Sequence, residues 1–253
     1  MRTDRGYPGG KGGAGVYQTI INHMPPHVTY VEAFCGSGAV LRSKRPAMHN
    51  VAIDRSAEAL TGVVATIVGA GDACRRIALS VADSTVVSVD DADGKTWEFV
   101  RGDCQTWLAH RRWNGNELVY ADPPYLRSVR ASGRLFYDFE LAEDHEHEHL
   151  LRSLLALRCM VMISGYWSEM YADILAGWQT VTYQTTTLGG TVATEWLWMN
   201  YPLPTALHDY RYLGTDYRER ERIKRKVTRW QRRLADMPRL ERQALLAALQ
   251  GEK

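Results

Sequence analysis

No stretch of this sequence approaches the roughly eighteen consecutive apolar residues that a membrane span needs. The opening segment, Met1 to Lys11, is polar and rich in glycine, without the apolar centre of a secretion signal. A soluble, cytoplasmic protein with no membrane partner is therefore expected. Cysteine is sparse: Cys35, Cys74, Cys104 and Cys159 are far apart and form no C-x-x-C pair, which speaks against a zinc or redox motif and for free thiols in a reducing compartment. Internal repeats and low-complexity tracts are absent, and with them solenoid and fibrous architectures. There is no G-x-x-x-x-G-K-[ST] element, which removes the phosphate-cradling loop of nucleotide hydrolases.

Net charge is also small, at +2. Its distribution is uneven, because Arg218 to Arg233 holds nine Lys and Arg against two Glu, leaving the rest of the chain at −5. Such a block is either a solvated helix face or a track for a phosphate backbone. What remains is 253 residues with 45% hydrophobic composition, enough for one α/β domain with small additions.

Periodicity orders the chain. Tyr30 to Phe34 is a short β-type run that stops at Cys35-Gly36-Ser37-Gly38, after which Ala39 opens a helix. Val51 to Ile53 ends in Asp54 and precedes a helical stretch from Ala57 to about Val68. Trp97 to Arg101 runs into Gly102-Asp103, and Leu118 to Ala121 into Asp122-Pro123-Pro124-Tyr125. Ala142 to Leu157 reads as a helix and Met160 to Ser164 as a buried strand. This alternation predicts a Rossmann-like, mainly parallel sheet with ligands at the carboxyl ends of its strands. Gln179 to Thr187 and Thr194 to Tyr201 flank Leu188-Gly189-Gly190 and predict a closing antiparallel hairpin. Ser80 to Lys95 has weak patterning and reads as a surface excursion. In the tail, Ile223, Val227, Trp230 and Leu234 form one apolar stripe on a basic helix, read as packing with a dimer seam as its other use, and Pro238 starts a second helix. A helical hairpin docked on the core follows. The expected division is a domain over 1–207 and a basic helical extension over 208–253, as monomer or dimer.

Several clusters carry chemistry. Gly36 and Gly38 after a strand let backbone approach a ligand, and a carboxylate at the next strand end, Asp54, can accept both hydroxyls of a ribose. Together they indicate an adenosine-containing cofactor, and the missing third glycine sets them apart from a dinucleotide fingerprint. In Asp122-Pro123-Pro124-Tyr125, two prolines stiffen the backbone and remove donors, so that rigid carbonyls and a carboxylate face a ligand. Such a set suits an amino group, with Tyr125 as a face on which a flipped base stacks. His145-Glu146-His147-Glu148-His149 could be a metal pattern, but it reads as the acidic start of a helix, and no metal is assigned.

The ordered set Tyr7-Pro8-Gly9-Gly10-Lys11, Tyr30 to Gly38, Asp54, Asp103, Asp122 to Tyr125 and Glu195 to Tyr201 resembles the Dam-type class of DNA adenine methyltransferases over residues 5 to about 202. The resemblance implies the Rossmann-like fold of enzymes dependent on S-adenosylmethionine. It also implies methyl transfer to the exocyclic N6 of a flipped-out adenine in DNA by direct displacement. By it, Tyr7 and Lys11 flank the methionine end of the cofactor, Phe34 to Gly38 lie under it, Asp54 holds its ribose and Asp103 its adenine. Asp122, Pro123, Pro124 and Tyr125 hold the target base against the methyl, Asp122 also bordering the cofactor.

The chain departs from that family in two places. Cys104 replaces an aromatic that family members often carry, and only 18 residues separate Asp103 from Asp122, leaving no room for the recognition domain of larger members. Sequence reading is therefore assigned to reduced segments near 72–95 and 126–140, with Arg127, Arg130 and Arg134 as readers of guanine edges or phosphate, and to the tail with Arg225, Lys226 and Arg229. So compact a chain fits a restriction-modification or phage-type solitary enzyme, in a bacterial or phage-infected cell. Methylation of RNA adenine is the nearest alternative. A catalytically silent nucleic-acid-binding module is the alternative of another class, opposed by the retention of Lys11, Gly36, Gly38, Asp54 and Asp122. Cytosine C5 chemistry needs a cysteine in a Pro-Cys context, which none of the four has.

Overall fold

The computed structural model describes residues 10–67, 77–81, 84–126, 141, 143–187 and 190–251. It divides into two units, Met1–Asp209 and Tyr210–Lys253. In the first, the elements run α1 (Val16–Ile21), β1 (Thr29–Ala33), α2 (Ala39–Ser43), β2 (His49–Asp54), α3 (Ala57–Ile67), β3 (Ile77–Val81), β4 (Ser84–Asp90) and β5 (Thr96–Arg101). They continue as α4 (Cys104–His110), β6 (Glu117–Ala121), α5 (Asp144–Leu155), β7 (Met160–Gly165), α6 (Glu169–Ile174), β8 (Gln179–Thr186) and β9 (Val192–Met199). The second unit contains α7 (Tyr217–Asp236) and α8 (Arg239–Gln250).

Among the described residues the strands form one nine-stranded sheet in the order β3-β4-β5-β2-β1-β6-β7-β9-β8. The central strands β5, β2, β1, β6 and β7 are parallel. The antiparallel hairpin β8–β9 closes one side, Tyr183 facing Glu195 in its register. This is the expected Rossmann-like α/β architecture with its terminal hairpin and C-terminal helical pair. Every residue of β1 and β6 is buried, so Leu118 to Ala121 of β6 reads as a continuous apolar run, whereas β1 carries the buried Glu32 in its middle. On one face Val31, Ala33, Val51, Val119 and Val161 pack with Leu108 of α4 and with Leu150, Leu151 and Leu154 of α5 in a single core. Burial of each valine or leucine among them contributes about 1.5–3 kcal/mol. The pleat turns Tyr30 and Glu32 to the opposite face, and Ile20, Leu41 and Val63 from α1, α2 and α3 are also buried.

The order reverses between β1 and β6, the position at which sheets of this kind bind ligands. The turn Phe34–Gly38 follows β1, and Asp122 follows β6.

The segment Ser80 to Lys95 corrects an expectation. Instead of a surface excursion, most of it is sheet: β4 lies antiparallel to β5, with Val86 opposite Val100 and Val87 opposite Phe99. Its valines pack against an apolar neighbouring strand, a long-range partner that the local pattern does not reveal. The described part of 72–95 is thus largely a two-strand extension of the sheet edge and a tight turn at Asp91 to Lys95. The six- and seven-residue helices α1, α4 and α6 are too short for a 3.6-residue period to show.

In the second unit, Asp216 caps α7 by accepting the Glu219 N–H at 2.8 Å. No residue of α7 is buried, and Val227 and Trp230 of the apolar stripe are 49% and 45% exposed. Ile223 and Leu234 of the same stripe are half-buried. No helix among the described residues is long and apolar enough to cross a membrane.

Candidate active site

The carboxyl ends of the strands bring four of the sequence motifs to one edge. After β1, Phe34 takes a left-handed φ of 59°, and Gly36 and Gly38 follow at 51° and 65°. For phenylalanine that conformation is costly, and such outliers gather where the chain is shaped for a ligand. At Gly38 the need for glycine is double, since a Cβ there would lie 2.9 Å from Val63 Cγ2. Asp54, at the end of β2, pins this turn: its Oδ2 accepts the Gly36 N–H at 2.7 Å and its Oδ1 the Ser56 N–H at 2.8 Å. Burial raises its pKa, opposed by those backbone donors.

Asp103 follows β5 and is the N-cap of α4, accepting the Thr106 N–H at 2.8 Å. Its other oxygen is paired with Arg55. Burial works against its ionisation, yet Thr106 and Arg55 outweigh it and hold the carboxyl below its ordinary value. Arg55 had no part in the sequence reading, and nothing in its local pattern marks it.

The centre of the site is a buried ion cluster. Lys11 is 5% exposed, and its Nζ lies 2.8 Å from Asp122 Oδ1 and 3.2 Å from Glu195 Oε2. It also donates to the Tyr125 hydroxyl at 2.6 Å. Burial would lower this lysine's pKa, but Asp122 and the neighbouring acids, Glu195 among them, raise it well above the usual value. Lys11 is therefore a permanent ammonium. Burial raises the pKa of Asp122, Glu195 adds to the rise, and Lys11 and Ser164 oppose it.

Two chains of hydroxyls complete the cluster. Ser164, on β7, donates to Asp122 Oδ1 at 2.7 Å, and Tyr120 stands 2.9 Å behind it. On the other side Tyr125 donates to Glu195 Oε1 at 2.8 Å and Tyr183 to Oε2 at 2.6 Å. Burial raises the pKa of both tyrosines and so keeps them as donors. The Tyr125 ring packs on Tyr166, centroids 4.4 Å apart and tilted by 46°. Pro123 is buried, and Pro124 is partly so.

Of the residues that the sequence singles out, Lys11, Asp122 and Tyr125 meet in one cluster, Asp54 binds the Phe34–Gly38 turn through Gly36, and Asp103 pairs with Arg55. Sequence reasoning quoted Glu195 within a strand without a role, and passed over Ser164, Tyr183 and Tyr120. The available signal was one acid in an otherwise apolar strand, Glu195-Trp196-Leu197-Trp198. Tyr7 and the loop arginines Arg127, Arg130 and Arg134 lie outside the described residues. Arg225, Lys226 and Arg229 are exposed on α7 of the second unit. Of the histidine run, His147 is buried 3.0 Å from the Tyr171 hydroxyl and His149 contacts Gln105 at 2.7 Å. Glu143 and Glu146 form a capping box at the start of that helix. Cys35, Cys104 and Cys159 are buried free thiols.

Glu32 lies beneath the same edge, accepting from Tyr30 at 2.7 Å. Burial pushes its pKa up to about 8, Asp122 adding to the shift and the Tyr30 hydroxyl opposing it. The folded protein therefore keeps a proton that the unfolded chain releases in the ordinary carboxylate range. The stability this contributes is full below that range and is lost as pH rises towards about 8. Glu32→Gln keeps an acceptor for Tyr30 and cannot ionise. The variant is expected to match wild type at pH 4 and to be about 1–3 kcal/mol more stable at pH 8, read by urea unfolding at both pH values. Parallel curves with no divergence would contradict a protonated Glu32.

No protein-family model matches the chain, and no curated protein matches its sequence. Solved structures resemble it distantly. Precorrin 8w decarboxylase of Methanobacterium thermoautotrophicum is 12% identical, over 79% of this chain and 95% of that one, with a TM-score of 0.44. An rRNA methylase from Streptococcus thermophilus is 11% identical, over 73% and 92%, with a TM-score of 0.42. A candidate methyltransferase from Streptococcus mutans in complex with SAH is 10% identical, over 74% and 95%, also at 0.42. Likenesses at this level say nothing of what the present chain acts on.

Proposed function

We propose that the chain is an S-adenosylmethionine-dependent methyltransferase acting on the exocyclic N6 of adenine in DNA. The observation that carries the reading is Asp122, held on a proline-stiffened turn at the sheet's switch point, charged against buried Lys11 and hydrogen-bonded by Ser164. The neighbouring turn fits the cofactor. Phe34, Gly36 and Gly38 take left-handed backbone in a turn that can cradle a ligand, Gly38 has no space for a side chain, and Asp54 stands at the adjacent strand end as a ribose acceptor. S-adenosylmethionine, when bound, supplies an electrophilic methyl on a sulfonium. Asp103, paired with the exposed Arg55, keeps acceptor capacity for the cofactor's adenine, since a carboxylate offers about four lone-pair sites.

The residues of this chain would act on the amine. The Asp122 carboxylate and the carbonyls left by Pro123 and Pro124 accept its N–H groups and draw the nitrogen out of conjugation, so that its lone pair is available. As the N–C bond formed and the methyl–sulfur bond broke, with S-adenosylhomocysteine as the leaving group, positive charge would grow on that nitrogen beside Asp122, and its proton would pass to solvent after attack. Alignment and electrostatics account for the rate, with no covalent intermediate. Tyr125, its hydroxyl held by Lys11 and Glu195, offers a ring face for the base, worth about 1–3 kcal/mol of stacking.

DNA as the partner rests on the resemblance and on the basic surface of α7. Replacing Arg225, Lys226, Arg229 and Arg232 together by Gln is expected to weaken duplex binding and to flatten the slope of log K against log salt by about 0.9 for each phosphate no longer neutralised. An unchanged slope would assign the helix another role. The test of the whole reading is to incubate the protein with labelled S-adenosylmethionine and unmethylated duplex DNA or total RNA, and then to identify the labelled nucleoside. N6-methyladenine from DNA is the expected product. Label in RNA alone would move the substrate to RNA, and cofactor binding without label would favour a silent binding module.

A further inference from the structure

Asp122 and Glu195 meet the same ammonium, and this is more negative charge than the pair needs. Lys11 and Asp122 alone would be neutral, whereas the three groups together carry a formal −1, with Glu195 only 3% exposed. Burying a carboxylate that shares its ammonium with Asp122 and meets no second cation among the described residues is costly, even when it accepts two tyrosine hydroxyls. A site that retains such a group against that cost is built to receive a cation.

We infer that Glu195 is a specificity residue that makes the site prefer a cationic ligand, favouring the sulfonium of the cofactor over the neutral thioether left after transfer. The inference rests on the cofactor reading above. Glu195 belongs to the hairpin β8–β9, at the edge of the parallel sheet, and reaches the centre because β9 runs antiparallel and presents its early residues at the carboxyl ends of β6 and β7. Through Tyr125 and Lys11 its carboxylate is fixed in place, so its field acts without reorganisation when the ligand enters. The consequence is product release: once the positive charge has left the sulfur, the attraction that helped to hold the cofactor is gone.

The test compares three ligands by calorimetric titration of the full chain: S-adenosylmethionine, its amine analogue sinefungin, which is also cationic, and neutral S-adenosylhomocysteine. Glu195→Gln keeps size and an acceptor but removes the charge. It is expected to weaken both cationic ligands about tenfold while changing the neutral one by less than about twofold. Tyr183→Phe removes a donor and leaves the charge, and is expected to preserve the wild-type ratio between cationic and neutral ligands. Equal weakening of all three by Glu195→Gln, no weakening of any, or loss of the ratio in Tyr183→Phe would overturn the inference while leaving the cofactor reading intact. Failure of the wild-type protein to bind any of the three would overturn the cofactor reading and this inference with it.

Discussion

Replacing Asp122 by Ala is expected to lower methyl transfer by at least about a thousandfold while S-adenosylmethionine affinity stays within about tenfold of wild type. The asymmetry follows from where the side chain sits. Its Oδ1 faces Lys11 and Ser164 on the β6 side of the switch point, whereas the glycine turn and Asp54 lie on the β1 side. Removing the carboxylate leaves the turn pinned and keeps Lys11 paired with Glu195, so the fold survives. What disappears is the acceptor beside the nitrogen on which charge develops. Single-turnover kinetics with saturating DNA, together with calorimetric cofactor binding, separates these effects. Equal loss of binding and turnover would make Asp122 a cofactor residue and remove its role at the amine.

Lys11→Met is expected to have the largest effect on stability. The substitution preserves much of the apolar stem but leaves Asp122 and Glu195 facing each other in a buried site. Breaking a buried ion pair by removing one partner costs about 3–5 kcal/mol, because the remaining charge has no compensation. In a unit of this size, that corresponds to a fall in Tm on the order of 10 °C. The double variant Lys11→Met with Glu195→Gln is expected to recover part of the loss, since one of the stranded charges has gone. Thermal unfolding at neutral pH measures both. A single variant within about 1 kcal/mol of wild type would mean that water already screens the cluster.

Local chemistry made much of this protein legible. The runs Val51 to Ile53 and Leu118 to Ala121 are buried on both faces, so each reads as a brief apolar stretch cut off by aspartate or proline, and Tyr30 to Phe34, with Glu32 inside it, is cut off by the glycine turn. Those terminators are the candidate site residues, because in a parallel sheet ligands collect where the strands stop. Strand β4 was missed for the opposite reason: its mixed Val, Ser and Asp pattern becomes a strand only when β3 and β5 are beside it.

What the sequence by itself determined is the order of elements, the closing hairpin, and the positions of the glycine turn, Asp54, Asp103 and the Asp122 to Tyr125 motif. These depend on backbone preferences and short-range periodicity, which neighbouring residues decide. Only the tertiary structure decided that Lys11, Asp122 and Glu195 share one buried charge cluster, that Tyr125 is tied by its hydroxyl to two of them, and that Arg55 pairs with Asp103. Lys11 and Glu195 are 184 positions apart, and no local rule links an isolated lysine before the first helix to one acid in the last strand. Sheet closure brings them together, and the low polarity of the interior then makes their charges matter.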